Sequence, residues 1–466
     1  MTDAEALTDV APPTDAEPPA VVQQPTAVQQ LAEFAVARRA TPLDEDVRHA
    51  AVRATVDWVS ATVPGADTRA ARALTEALDP GPGAARLIPS GRATDVRTAA
   101  LLNGTAAHAA ELDDIYRDAF YHPGAPTIAA AFAVADLLDA SGEDFLRAVT
   151  IGYEIGARIA LATGPEHYRN WHTTGTVGTF GAAAAAAELL RLDTGPFAGA
   201  LALAATMAAG LQQTFRSPST GKPLHAGHAA EAGVVAALAA GKGLAGALDV
   251  LEGPAGFGVA TAGVTDLSVS GLGDPFCVTA TTVKYHACCG HTFAAIDAAL
   301  ELRADGPGLE EITGIEIETY GTAVRVAGRV DPTEADEARF SLAYTVAAAL
   351  VLGSVRLRAF DPSALGDPAI RNLMARTTAR VDPELDELAP GRRAARVRIT
   401  DRHGVVRERL RLTRKGDPED PLNDEELRAK YDELVPPFIG RPRAGSIAGA
   451  LWELPALPRM SALDWG

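Results

Sequence analysis

Eight of the ten histidines fall between positions 108 and 291, and with nearby lysines and acids they form four clusters. Glu111, Asp113, Asp114 and His122 make the first and His172 the second. Lys222, His225 and His228 make the third, and Lys284, His286, Cys288, Cys289 and His291 the fourth. Each lies at or near the start of a helical pattern, where free backbone N–H groups favour an anion. Brought together, they would form a pocket for a small, carboxylate-bearing substrate. A C–H next to a carboxylate is weakly acidic, so breaking it needs a base and a cation that meets the charge spreading onto the carboxylate. Histidine plus lysine supplies both, and a second histidine can protonate a group leaving from the β carbon. Only five of the 42 basic residues are lysine, which singles out Lys222 and Lys284 in their apolar, glycine-rich settings.

Plainer roles compete with this chemistry. A lone histidine such as His108 or His225 more often packs between helices with its nitrogens hydrogen-bonded, and Asp113 and Asp114 could cap a helix. Cys288 and Cys289 could be small buried hydrophobes. Adjacent cysteines make poor joint ligands, so a zinc site from His286, Cys288, Cys289 and His291 is disfavoured. The run DDIYRD (Asp113, Asp114, Asp118) is similar to the aspartate-rich magnesium motif of terpene synthases. No second metal motif accompanies it, and aromatics are only 5% of the chain.

The elements that must hold these residues are mostly helices. The stretch Trp171 to Leu190 joins His172 to Gly175, Gly178, Gly181 and the run Ala182 to Ala187. Each glycine costs a helix about 1 kcal/mol against alanine, so close approach of a neighbour is the better reason for it. With 47% hydrophobic residues and few aromatics, the core is built from Ala, Leu and Val, as in close-packed helices. Apolar residues recur at helical spacing almost without interruption from 27 to 272, which reads as an all-helical domain. From 273 to 412 the pattern changes. Ile315, Ile317 and Thr319 alternate with Glu316 and Glu318, AARVRITDRHGVVRERLRL reads as a hairpin turning at Gly404, and Phe340 to Leu352 is an apolar helix. This is a smaller α+β lid. The segment 413–466 opens with Asn423 and Glu426 in a capping-box arrangement and returns to the helical domain, making that domain discontinuous. Residues 1–26, rich in proline and acids, read as a disordered tail.

A net charge of −18 excludes a nucleic-acid surface or an anionic membrane as partner. No apolar run is long enough to span a bilayer, and the three cysteines, an odd number, fit a reduced cytoplasmic setting.

Five segments in this order resemble the MmgE/PrpD family, which includes 2-methylcitrate dehydratase, cis-aconitate decarboxylase and iminodisuccinate epimerase. They are NGTAAHAAELDD (103–114), HPGAP (122–126), WHTTGTVGTFGAAAAAAELL (171–190), GKPLHAGHAAEAG (221–233) and VKYHACCGHTFAAIDA (283–298). The resemblance implies a helical domain completed by the C-terminal segment, a lid, a homodimer, and no metal or organic cofactor. It makes His122 and His172 the acid and base histidines and Lys222 the carboxylate anchor, with the Cys288 region as the lid's contribution to the pocket. Glu111, Asp114, His225, Lys284, Cys288 and His291 complete the expected substrate-binding set. The expected activity is that of a lyase, dehydratase-like, expelling water or an activated ester such as phosphate. A decarboxylase or epimerase could use the same residues, and a non-catalytic relative could keep the fold alone. The family usually has Asp where Glu111 stands, Thr where Ile115 stands, Pro where Thr173 stands and Thr-His where His291-Thr292 stands. An extra residue also separates Asp114 from His122. Losing a hydroxyl at Ile115 changes what the pocket can hydrogen-bond, so the substrate is expected to differ from the family's best-known ones.

Overall fold

A computed structural model describes residues 24–217, 219–389 and 391–465. The expected tail therefore lies outside the described residues up to position 23. The first helix, α1 (Ala27–Arg38), begins where Thr26 and Gln29 close a capping box. It is followed by α2 (Glu45–Gly65), α3 (Val96–Ala109), α4 (Gly124–Leu138), α5 (Gly142–His167), α6 (Thr173–Leu189), α7 (Thr194–Met207) and α8 (Lys222–Ala240).

Every residue of α6 is buried, and the helix packs on α8, α5, α4 and α7. Its alanines contribute little apolar area each, so cohesion there comes from close backbone approach and many small dispersion contacts. A Cβ placed on Gly233 of α8 would stand 2.5 Å from the Ala182 Cβ of α6. On α6 itself a Cβ at Gly175 would meet the Ala209 carbonyl oxygen at 2.5 Å. Gly175, Gly178 and Gly181 all sit inside α6, which starts at Thr173.

The later part is built on a four-stranded sheet. Its strands are β1 (Ile312–Thr319), β2 (Thr377–Val381), β3 (Ala395–Asp401) and β4 (Val406–Arg411), in the order β2-β1-β3-β4, with β2 parallel to β1 and the other pairs antiparallel. The hairpin β3–β4 turns through Gly404 at φ +78°, a conformation that suits a residue without Cβ. Strand β2 was not visible in the sequence pattern because it is a largely exposed edge with no buried alternation. Helices α9 (Phe293–Asp305) and α10 (Leu342–Leu352) pack together, α9 also against β3 and β4, around a second apolar core of Phe293, Ile296, Ile315, Ile317, Val346 and Val397. The segment leading into this part is pinned to α5 by Glu154. That buried carboxylate accepts from the backbone N–H of Gly273 and of Cys277, both at 2.7 Å, and from Arg158 at 2.8 Å.

The chain ends in α11 (Asp424–Leu434), whose Asn423 cap and Glu426 close the expected capping box, and α12 (Arg441–Trp452). Both pack against α2. The molecule is thus mainly helical with a smaller α+β part, and no helix among the described residues is long and apolar enough to cross a membrane.

Candidate active site

The ends of α3, α4, α6 and α8 bring four imidazoles and one carboxylate together. His108 lies in the last turn of α3, and the loop after it carries Glu111, Asp113 and Asp114. His108 Nδ1 is 2.6 Å from Asp113 Oδ2, and His122 Nδ1 approaches the same oxygen at 3.1 Å. His172 caps α6, its backbone N–H bound to the Gly210 carbonyl at 2.8 Å. Its ring stacks 5.4 Å from His108, meets Phe215 edge-on at 4.7 Å, and places Nδ1 3.1 Å from His225 Nδ1.

Burial sets the protonation states. His172 is 2% exposed, and desolvation, then the charges of His108 and Lys222, hold it well below the usual imidazole pKa. His122 is lowered to about 4 by burial, with Asp113 acting against that shift. His225 is lowered to about 4, again mainly by burial. Burial alone would raise the Asp113 carboxyl, but His108 and His122 overcome it and hold this group well below the usual carboxylate range. His122, His172 and His225 are therefore neutral bases close to one fixed negative charge on Asp113.

Beside it lies a cationic pair. Lys222 is the first residue of α8, where an ammonium opposes the helix dipole, so helix stability does not explain its position. Its Nζ forms a short ion pair with Glu111 Oε1 and lies 5.7 Å from the Phe215 ring centre. Lys284 Nζ bonds the Glu111 carbonyl at 3.2 Å and Oε2 at 3.3 Å. Glu111 takes a left-handed φ of +57°, rare for a residue with a side chain. Burial opposes its ionisation, but Lys222 and Lys284 keep it well below the usual range. Two ammonium groups against one carboxylate leave one positive charge for an incoming anion.

Not every expected residue joins this centre. Asp114 points away, accepting from the Tyr153 hydroxyl at 2.7 Å and from the Gly124 N–H at the start of α4 at 3.0 Å. Burial and the nearby Asp57 raise its pKa to about 8, so it is a protonated structural acid near neutrality. His291 turns to the Tyr320 hydroxyl at 2.5 Å. Cys288 is packed against Thr292 at 3.2 Å, with its thiol pushed up to about 12 by burial. His286 pairs with Asp297 at 2.9 Å, so three of the four residues weighed as a zinc site, His286, Cys288 and His291, have separate partners. Asp118 lies beside Arg117 at 3.2 Å while Asp113 and Asp114 diverge, which leaves no aspartate-rich magnesium site of the terpene-synthase kind.

In the other direction, His108 and Asp113, weighed in the sequence as packing and capping groups, form the hub. The signal available was their spacing, a histidine ending a helix and an acid on the loop just after it. Among the described residues, His108, Asp113 and His122 are also the one group spaced to hold a metal ion, with their ligand atoms within 4.8 Å of one another.

His167, near the cluster, provides a pH test of the scaffold. Its nitrogens lie 2.9 Å from Thr261 Oγ1 and 2.7 Å from Thr176 Oγ1, and burial lowers its pKa from 6.5 to about 4. Between those values the unfolded chain binds more protons than the folded one, so this group's contribution to stability declines as pH falls from about 6.5 to about 4. Urea midpoints at pH 7 and pH 4.5 are expected to differ less in His167→Gln than in the wild type. An equal acid loss in both proteins excludes His167 as a source.

The MmgE/PrpD N-terminal domain matches residues 29–270 and the MmgE/PrpD C-terminal domain residues 286–454. A cis-aconitate decarboxylase-like protein of Aspergillus oryzae is 28% identical over 465 residues, covering 93% of this chain and 95% of the relative. The cis-aconitate decarboxylase of Aspergillus terreus is 27% identical over 438 residues, 87% of each chain. The human cis-aconitate decarboxylase is 29% identical over 299 residues, 61% of this chain and 62% of the relative. The two matched domains take in most of the sequence, and the chain belongs to the MmgE/PrpD family.

Proposed function

We propose that this protein is a lyase that moves a proton at a carbon next to a carboxylate of a small anionic substrate and breaks a bond at the neighbouring carbon. The observation that carries this reading is a neutral, buried His172 beside the Lys222–Glu111–Lys284 group. The spare positive charge of the two ammonium groups receives the substrate carboxylate and stabilises the negative charge that builds on it as the C–H bond breaks. Among the described residues no carboxylate pairs with His172, and it is surrounded by His108, Lys222 and His225, which suits a base that begins neutral. His122 also begins neutral, and the adjoining ionised Asp113 stabilises its imidazolium once it has taken up a proton, so His122 is the relay that then hands a proton to the leaving group. His108 shares that carboxylate and fixes its direction.

In the first reading water or another β substituent departs, leaving a conjugated alkene. The names of the relatives favour a second, in which CO2 leaves and the proton returns to the carbon chain. Both use the same groups. NMR in D2O with citrate-type hydroxytricarboxylates and cis-aconitate separates them, since elimination gives a new vinylic signal with no gas and decarboxylation releases CO2. The expected result is solvent deuterium in substrate or product at a rate unchanged by exhaustive EDTA treatment. No exchange and no turnover with any of these acids sinks the lyase reading. A rate abolished by EDTA and restored by a divalent ion makes His108, Asp113 and His122 a metal centre and removes the acid role from His122.

A further inference from the structure

The α+β part carries a second group of cations that the proposed reaction leaves unused. Arg393, half-buried just ahead of β3, has no hydrogen-bond or ion-pair partner among the described residues. Its neighbour Arg414 is fully engaged, with Nε and Nη2 on the Asp417 carboxylate at 2.8 and 2.6 Å and Nη1 on the Gly290 carbonyl at 3.1 Å. Asp417 is committed as well, to Thr282 at 2.7 Å and to Arg117 at 3.3 Å. Among the described residues no carboxylate pairs with Arg393, and an unpaired guanidinium withdrawn from water is costly unless something binds it.

The surroundings of Arg393 suit an oxyanion. A Cβ on Gly290 would stand 2.9 Å from Arg414 Nη1 and 4.0 Å from Arg393 Nη1, so both guanidiniums lie beside this glycine, Arg414 the closer. The next residue, His291, meets the Tyr320 hydroxyl through Nδ1 at 2.5 Å. Burial and then Arg393, Arg414 and Arg325 lower His291 to about 3, so its ring is neutral. Burial raises Tyr320 to about 12, so the phenol keeps its proton. With Tyr320 donating to Nδ1, the His291 Nε2 carries a hydrogen it can donate. Cys289 lies within electrostatic reach of Lys284 and Glu111 and also of Arg393, so this group and the lysine pair are both near the Cys288–Gly290 segment.

We propose that Arg393, assisted by His291 held on Tyr320, is a second oxyanion subsite that binds a further carboxylate or phosphate-type group of the substrate. This rests on the lyase reading, in which the lysine pair binds the first carboxylate. It makes Arg393 the residue that selects polyanions over simple dicarboxylates, and a substrate spanning both subsites ties the α+β part to the helices that carry His172 and Lys222.

The test uses titration calorimetry on the full chain with glutarate, with propane-1,2,3-tricarboxylate, which adds one central carboxylate, and with 3-phosphonoglutarate, which adds a phosphonate there. The wild type is expected to bind at least one of the two trianionic-type acids about tenfold or more tighter than glutarate, the size of one charge-assisted hydrogen-bonding pair. The favoured acid identifies the oxyanion. Arg393→Gln should remove that preference while leaving glutarate affinity in place, which also shows that the variant is folded. Arg393→Lys should keep part of it. A preference that survives Arg393→Gln, or a wild type that shows none or binds none of the three, overturns the subsite. A wild type that turns over a carboxylic acid while Arg393→Gln keeps the preference leaves the lyase reading standing. Absence of any turnover strikes that reading and leaves the affinity ratio to be read on its own.

Discussion

His172→Ala is expected to lower kcat by roughly 10²- to 10⁴-fold, the range of a positioned general base, with KM changing little. The ring touches His108, Phe215 and His225, while the lysines that receive the carboxylate lie on α8 and ahead of α9. Binding and proton transfer are thus carried by different residues. The fold is expected to tolerate the change because residue 172 serves the helix start through its backbone, whose carbonyl accepts from the Gly175 and Thr176 N–H groups while its N–H bonds Gly210. His225→Gln is expected to cost less, since it leaves the base in place and removes only the ring 3.1 Å from it. Deuterium exchange into bound substrate is the decisive measurement, because it reports proton removal even when later steps are slow. Exchange in His172→Ala at the wild-type rate transfers the base role to another imidazole of the cluster.

The helical layer was legible in the sequence because it repeats one physical idea over many residues. Small side chains at helical spacing demand close packing, and Gly175, Gly178 and Gly181 mark where a neighbour arrives, as contacts with Ala209, Pro126 and Tyr121 show. The hairpin was legible through alternation about a glycine turn, whereas β2 lacked a buried face to announce it. For the site, the sequence identified the loops but could not choose among neighbours within them. Asp113 and Asp114 are adjacent and chemically equal, yet one lies between two imidazoles and the other under Tyr153. That choice is made by the path of the loop, fixed by a left-handed Glu111 and by a residue more than three hundred positions away, Lys430. His291 shows the same limit, since its distance from the other histidines depends on where Tyr320 lies after β1.

Lys430→Met is expected to destabilise the protein by about 3–5 kcal/mol, as removing one partner of a buried ion pair does. Lys430 on α11 is wholly buried, and its Nζ reaches Asp57 Oδ1 of α2 at 2.5 Å and the Leu112 carbonyl at 3.0 Å. Burial raises Asp57, an effect that Lys430 counteracts, while the nearby Asp113 adds to it. Without the ammonium, Asp57 must take up a proton or stay charged and unpaired. Adding Asp57→Leu is expected to restore much of the lost stability, because two apolar groups then replace the pair. Activity should not follow stability back. Leu112 stands between Glu111 and Asp113, and among the described residues only Lys430 binds its carbonyl, so the double variant lacks the tie that directs one acid to the lysines and the other to the histidines. Urea midpoints and kcat measured on wild type, single and double variants separate the two effects. Recovery of kcat together with the midpoint makes Lys430 a purely structural residue, whereas a stable but slow double variant makes it the positioning residue of the acidic loop.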